Sequence, residues 1–212
     1  IAIETLSRLK EMFPEDTELH EISLSIFDQA NDEMSYFEEA RQLSDLYIQK
    51  DEIARAIEIL HRLLTKMPDE SIEDKIIQLY VSRDRLNDAV REIFDFANFA
   101  IQKEDNYQKA LRLLIKGKEI YPGHIDLHKK IIEVMRHLGG NPKDLAFEYF
   151  ELARLYEKSA AVSGAELNFQ QAIHLYPEEV SLWKELFRFL LEHGKSRQLE
   201  DYLSSFLSLH DL

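Results

Sequence analysis

The sequence predicts an all-α solenoid, and three observations predict it. Four of the five prolines, Pro14, Pro68, Pro122 and Pro177, recur at gaps of 54, 54 and 55 residues. Each follows a large apolar residue (Phe13, Met67, Tyr121, Tyr176) that closes an amphipathic run. Runs of alternating polarity and Asn-Gly or Asp-Gly turns are absent, so nothing signals a β-hairpin. Proline is accepted in the first turn of a helix and breaks it later, so a proline at fixed spacing punctuates helix boundaries. A helical repeat of this kind builds a solenoid, whose function lies on its surface.

The elements follow in order. A partial unit, residues 1–13, precedes the first proline. Residues 14–67 break at Asn31-Asp32 and near Lys50-Asp51, and residues 68–121 at Ser82-Arg83-Asp84 and Glu104-Asp105-Asn106. Residues 122–176 break at 139–142 and around 159–164, and the tail, 177–212, is split by Gly194. Three amphipathic runs per full unit predict three helices each, and about eleven helices in a single domain spanning residues 1–212. The opening at Ile1 in mid-run leads to the expectation that the chain is a fragment of a longer protein.

Composition narrows the function classes. With 45% hydrophobic and 31% charged residues the chain suits a folded, helix-rich protein. It has no cysteine, which excludes disulfides and thiolate metal sites and fits a cytoplasmic location. The formal net charge is −14, placed unevenly: residues 1–70 carry 17 acidic and 7 basic side chains, residues 71–142 carry 11 and 12. Such a surface repels phosphate backbones and disfavours nucleic acid. The one basic concentration is Lys109, Arg112, Lys116 and Lys118 with Lys129 and Lys130, read as a solvated outer face.

No motif carries catalysis. Glu38-Glu39 and Glu178-Glu179 read as solvated helix residues, and Gly139-Gly140 lacks the strand and Gly-Lys-Ser/Thr of a phosphate loop. His124 and His128 stand four apart but lack the further ligands a zinc site needs, and read as capping or surface residues. The expectation is no enzyme, no metal and no cofactor.

The last two helices of each unit carry a more specific pattern. In a frame opening at Ala146, Tyr149, Leu152, Ala153, Tyr156, Ala165, Phe169, Ala172 and Pro177 resemble the tetratricopeptide repeat (TPR) at its eight signature positions. The frame ending at Pro68 gives Ala40, Leu43, Ser44, Tyr47, Ala56, Leu60 and Leu63; that ending at Pro122 gives Phe94, Ala97, Asn98, Ile101, Ala110, Leu114 and Gly117. Ala56, Ala110 and Ala165 fall where two helices of a hairpin cross most closely, so a larger side chain there would wedge them apart. The departure is the 54–55-residue spacing, which adds one helix per unit at residues 19–27, 72–81 and 125–138.

The resemblance implies a right-handed superhelix of TPR-like hairpins and a groove lined by the first helices. Carried onto this chain, the groove offers Arg41, Gln42 and Asp45, then Phe96 and Phe99, then Phe147, Phe150 and Arg154, then Lys184 and Arg188. Asp45 and Phe99 stand where terminal-carboxylate binders of the family place asparagine, which excludes that subtype. The implied function is a scaffold binding a protein or peptide segment through aromatic anchors and a polar rim. Alternatives are a regulatory or oligomerisation arm of a larger enzyme or signalling protein, an RNA-processing helical repeat, and self-association of the acidic N-terminal third with the basic centre.

Overall fold

The computed structural model describes residues 2–209, and they form twelve α-helices with no strand among them. These are α1 (Ala2–Met12), α2 (Thr17–Gln29), α3 (Glu33–Gln49), α4 (Ile53–Lys66), α5 (Glu70–Val81), α6 (Leu86–Glu104), α7 (Tyr107–Ile120), α8 (Ile125–His137), α9 (Pro142–Lys158), α10 (Val162–Leu175), α11 (Val180–Glu192) and α12 (Ser196–Leu209). The count agrees with the expected total of about eleven: α1, nine helices in the three full units, and one helix on each side of Gly194. The added helices stand at α2, α5 and α8, and the break expected over residues 159–164 ends earlier, with Gly164 inside α10.

Two turn chemistries join the helices. The four proline turns precede α2, α5, α8 and α11 and contain no left-handed residue. The other seven turns each hold one residue at positive φ: Asn31, Asp51, Asp84, Asp105, Gly139, Ala160 and Gly194. In six of them an amide bonds back to a carbonyl five residues earlier, as in Asp32 N–H to Phe27 at 3.0 Å and Glu52 N–H to Tyr47 at 2.8 Å. This closure satisfies carbonyls that a helix C-terminus otherwise orphans, and it needs a residue that tolerates the left-handed region. Side chains of Asp16, Asp32, Asp69, Asn106 and Asn141 then cap the next N-termini.

The chain divides into two compact units, Ile1–Glu92 and Ile93–Leu212, with the boundary inside α6. In each, helices pack chiefly on their chain neighbours, as a solenoid requires. Ala56, Ala110 and Ala165 are fully buried, as are Ala40, Leu43, Ser44, Leu60 and Leu63 in the first unit and Ala97, Leu114, Ala153 and Ala172 in the second. A Cβ on Gly117 would stand 3.0 Å from Leu127 Cδ2 and 3.3 Å from Ile93, so this helical glycine keeps α7 close to its neighbours. These residues fill the crossings of successive helical hairpins, as their spacing in the sequence predicts. Their apolar faces supply the stabilisation, at roughly 25 cal/mol per Å² removed from water.

Candidate partner-binding surface

The ten residues expected to line a groove fall into two sets, one in each compact unit. In the first, Arg41, Gln42 and Asp45 are exposed on α3. Asp45 is bound by Lys75 Nζ at 2.6 Å, and the Arg41 guanidinium lies 5.6 Å from the Phe37 ring centre. Nearby, a cleft of about 550 Å³ is lined by Glu21, Leu24, Asp28, Tyr36, Arg62 and Lys66. Within it Lys66 Nζ meets Asp28 at 2.5 Å, and Glu21 accepts a hydrogen bond from Tyr47, which lies outside the lining. Burial and the Glu21 carboxylate push the Tyr47 phenol up to about 12, so it stays a donor.

In the second unit the four phenylalanines separate. Phe99 and Phe147 are 47% and 37% exposed, whereas Phe96 and Phe150 are half-buried. Phe150 packs edge-on against Phe169 at 5.8 Å and belongs with the core around Phe189 and Leu186. Arg154 is exposed, its guanidinium 5.8 Å from the Phe150 ring centre, and Lys184 is exposed on α11. Arg188 is occupied inside the molecule: it grips Glu157 with two nitrogens at 3.0 and 2.9 Å, Glu192 at 2.7 Å and Glu185 at 3.1 Å. Those hydrogen bonds, Glu157's first, raise its already high pKa further. Arg188 therefore fixes α11 to α9 instead of standing open on a rim.

A polar device missed by the sequence reading lies beneath these helices. His20 is buried, with Nε2 donating to the Pro14 carbonyl at 3.1 Å and Nδ1 2.6 Å from Glu39, which also receives Lys10 Nζ at 2.5 Å. The second unit repeats it. His128 Nε2 donates to the Pro122 carbonyl at 3.0 Å, Nδ1 lies 2.6 Å from Glu148, and Lys118 Nζ meets Glu148 at 2.6 Å. Trp183 plays the histidine's part after Pro177, its indole N–H donating to that carbonyl at 2.7 Å. Each hub ties a helix ending at a proline to the two helices after it, and pairing is what makes buried charge tolerable.

The hubs correct two expectations. His128 is a buried tie and no surface residue, while His124 sits at the N-cap of α8 with its ring against Tyr121 and Phe94. Glu39 is buried, not solvated. The sequence signal was available: a histidine or tryptophan stands six residues after three of the four repeating prolines. Burial alone would raise the Glu148 carboxyl, but His128 and Lys118 overcome it and hold the group below the usual glutamate range.

The basic concentration is largely neutralised where it stands. Lys109 is buried and pairs with Glu104 at 3.5 Å, Lys129 with Asp126 at 2.9 Å and Lys130 with Glu133 at 2.8 Å, while Lys118 serves the hub. Among the described residues no three metal-ligating side chains converge, and no helix is long and apolar enough to cross a membrane.

No protein-family model matches the chain, and no curated protein matches it. Among solved structures it is similar to BtubC (BKLC) from P. vanneervenii, at 13% identity over 92% of this chain and 89% of that one, with a TM-score of 0.46. It is similar also to the nearly identical TPR-like repeats of a Podosopora anserina kinesin light chain candidate, at 15% identity over 81% and 93% with a TM-score of 0.44. A third is a MamA protein, at 16% identity over 81% and 90% with a TM-score of 0.39.

Proposed function

We propose that this chain is a non-catalytic scaffold that holds a segment of another protein against the exposed faces of its repeat helices. One observation carries the reading: Phe99 and Phe147 keep 47% and 37% of their surface in water on helices whose opposite faces are fully packed. Exposed aromatics on a rigid frame are the side chains around which binding energy concentrates. Among the described residues, the buried polar groups of the hubs are engaged in structural ties, which favours a binding role over a reaction centre. Arg41, Gln42 and Asp45 form the polar part of the surface in the first unit, and Arg154 and Lys184 in the second. The lack of cysteine fits work in the reducing cytoplasm.

Phe99→Arg and Phe147→Arg test it. Each variant should keep the helical circular dichroism and melting of the parent and lose capture of partner protein in a pull-down. Loss of helix content in either would place that ring in the core. Undiminished capture by both would end the proposal.

A further inference from the structure

The second unit carries its cations in two ways. Lys118, Lys129, Lys130, Arg188 and Lys195 are ion-paired with carboxylates. Lys143, Arg154 and Lys184 make no ion pair among the described residues, and two of them rest on rings: Lys143 Nζ is 5.8 Å from the centre of Tyr176, and Arg154 Cζ 5.8 Å from that of Phe150. Lys143, Phe147, Phe150 and Arg154 are spaced four, three and four apart on α9, so they share one face of the helix. Phe147 also meets Tyr176 edge-on at 6.4 Å, which joins the cation of Lys143 to the exposed ring. The Arg188–Glu157 fork brings α11 alongside α9; Lys184 lies one turn before Arg188, and Arg154 about one turn before Glu157.

Resting on the scaffold reading, we propose that this α9 face, with Lys184 beside it, receives an acidic segment of a partner protein whose apolar side chain seats on Phe147. A cation over a ring keeps its outer edge free, and a guanidinium in that position can still grip a carboxylate through two N–H groups. Net charge repels such a segment far less from this unit than from the first, and the cations of the stripe supply the local attraction. Residues 93–212 carry 18 acidic and 15 basic side chains, whereas residues 1–92 carry 22 and 11 and repel an acidic chain. Asp144 and Glu151 flank the stripe, and the charge of Lys143 already acts on the Glu179 carboxylate, so the partner's carboxylates are taken chiefly by Arg154 and Lys184.

The test measures fluorescence anisotropy of the full chain with two synthetic peptides of equal leucine content, one carrying glutamates and the other lysines. The glutamate peptide should bind, weaken as salt is raised, and lose about tenfold in affinity to Arg154→Glu and to Lys184→Glu, with Arg154→Lys falling between Arg154→Glu and the parent because it keeps the charge and loses the two-pronged grip. The lysine peptide, drawn to the first unit, should be indifferent to Arg154→Glu. Circular dichroism of each variant controls for folding. Absence of glutamate-peptide binding, or binding unchanged by both charge reversals, overturns the acidic partner. If the phenylalanine variants still lose partner capture in that event, the scaffold reading survives alone.

Discussion

Helices α3 and α9 have the same length, 17 residues, and occupy the same station in their repeats, yet they agree only on their inner faces. Inside, Leu43 matches Leu152, Ser44 matches Ala153 and the buried Glu39 matches the buried Glu148, each carboxylate held by a histidine and a lysine. Outside, Glu38 and Asp45 correspond to Phe147 and Arg154, and the exposed Arg41 to the half-buried Phe150. Packing constrains the interior throughout, and buried charge constrains it in these two repeats, since a misfit there costs stability directly. The exterior is free to differ, and it differs in the properties that select a partner. Function in this chain is therefore to be sought where the repeats disagree.

The strongest way to break the comparison is to strike the shared interior. Ala56→Glu and Ala165→Glu each force a bulky charge into a fully buried helix crossing. Each should cost at least about 4 kcal/mol, from overpacking and uncompensated charge together. Thermal melts followed by circular dichroism should show the two variants equally crippled. A tolerant Ala56 beside an intolerant Ala165 would mean that the two hairpins are built differently.

The hubs allow a subtler cut. His128→Ala removes one partner from the buried Glu148 and leaves the Pro122 carbonyl unanswered; His20→Ala does the same to Glu39 and Pro14. Each should cost about 2–4 kcal/mol in urea unfolding. The pH dependence sharpens this for α9. Glu148 titrates below the usual glutamate value in the folded chain, so it stabilises above that value and the contribution drains away as pH falls through the folded one. In His128→Ala burial is less opposed, and the acid loss of stability should begin at higher pH than in the parent. An unmoved acid limb would show that Lys118 alone holds the carboxylate.

Much of the scaffold was legible in sequence because it rests on residue size at fixed spacing. The prolines placed four turns, and the alanines at the crossings placed the hairpin register, now matched by the complete burial of Ala56, Ala110 and Ala165. Aromatic exposure was not legible. Phe96, Phe99, Phe147 and Phe150 all fit the same helical face, and only packing separates the open Phe99 and Phe147 from Phe150, which leans on Phe169. Glu39 and His128 look like surface residues by type, since their burial depends on partners about 20 to 30 positions away in sequence. The ion pair of Arg188 was not legible for the same reason: its glutamate at 157 is remote in the chain and adjacent in space.

The turns that close α3 and α9 give the smallest and cleanest contrast. Asp51 and Ala160 hold equivalent left-handed positions, at φ 62° and 59°. Asparagine and aspartate enter that region with less penalty than other residues because the short polar side chain bonds locally, whereas alanine has no such relief and its Cβ crowds the following carbonyl. Glycine removes the crowding but frees the unfolded chain, which offsets part of the gain. Ala160→Gly should therefore raise stability by about 0.5–1 kcal/mol in urea unfolding, and Asp51→Gly by less or not at all. A stability loss in Ala160→Gly would mean that the methyl group contributes packing at the end of α9 that outweighs its strain.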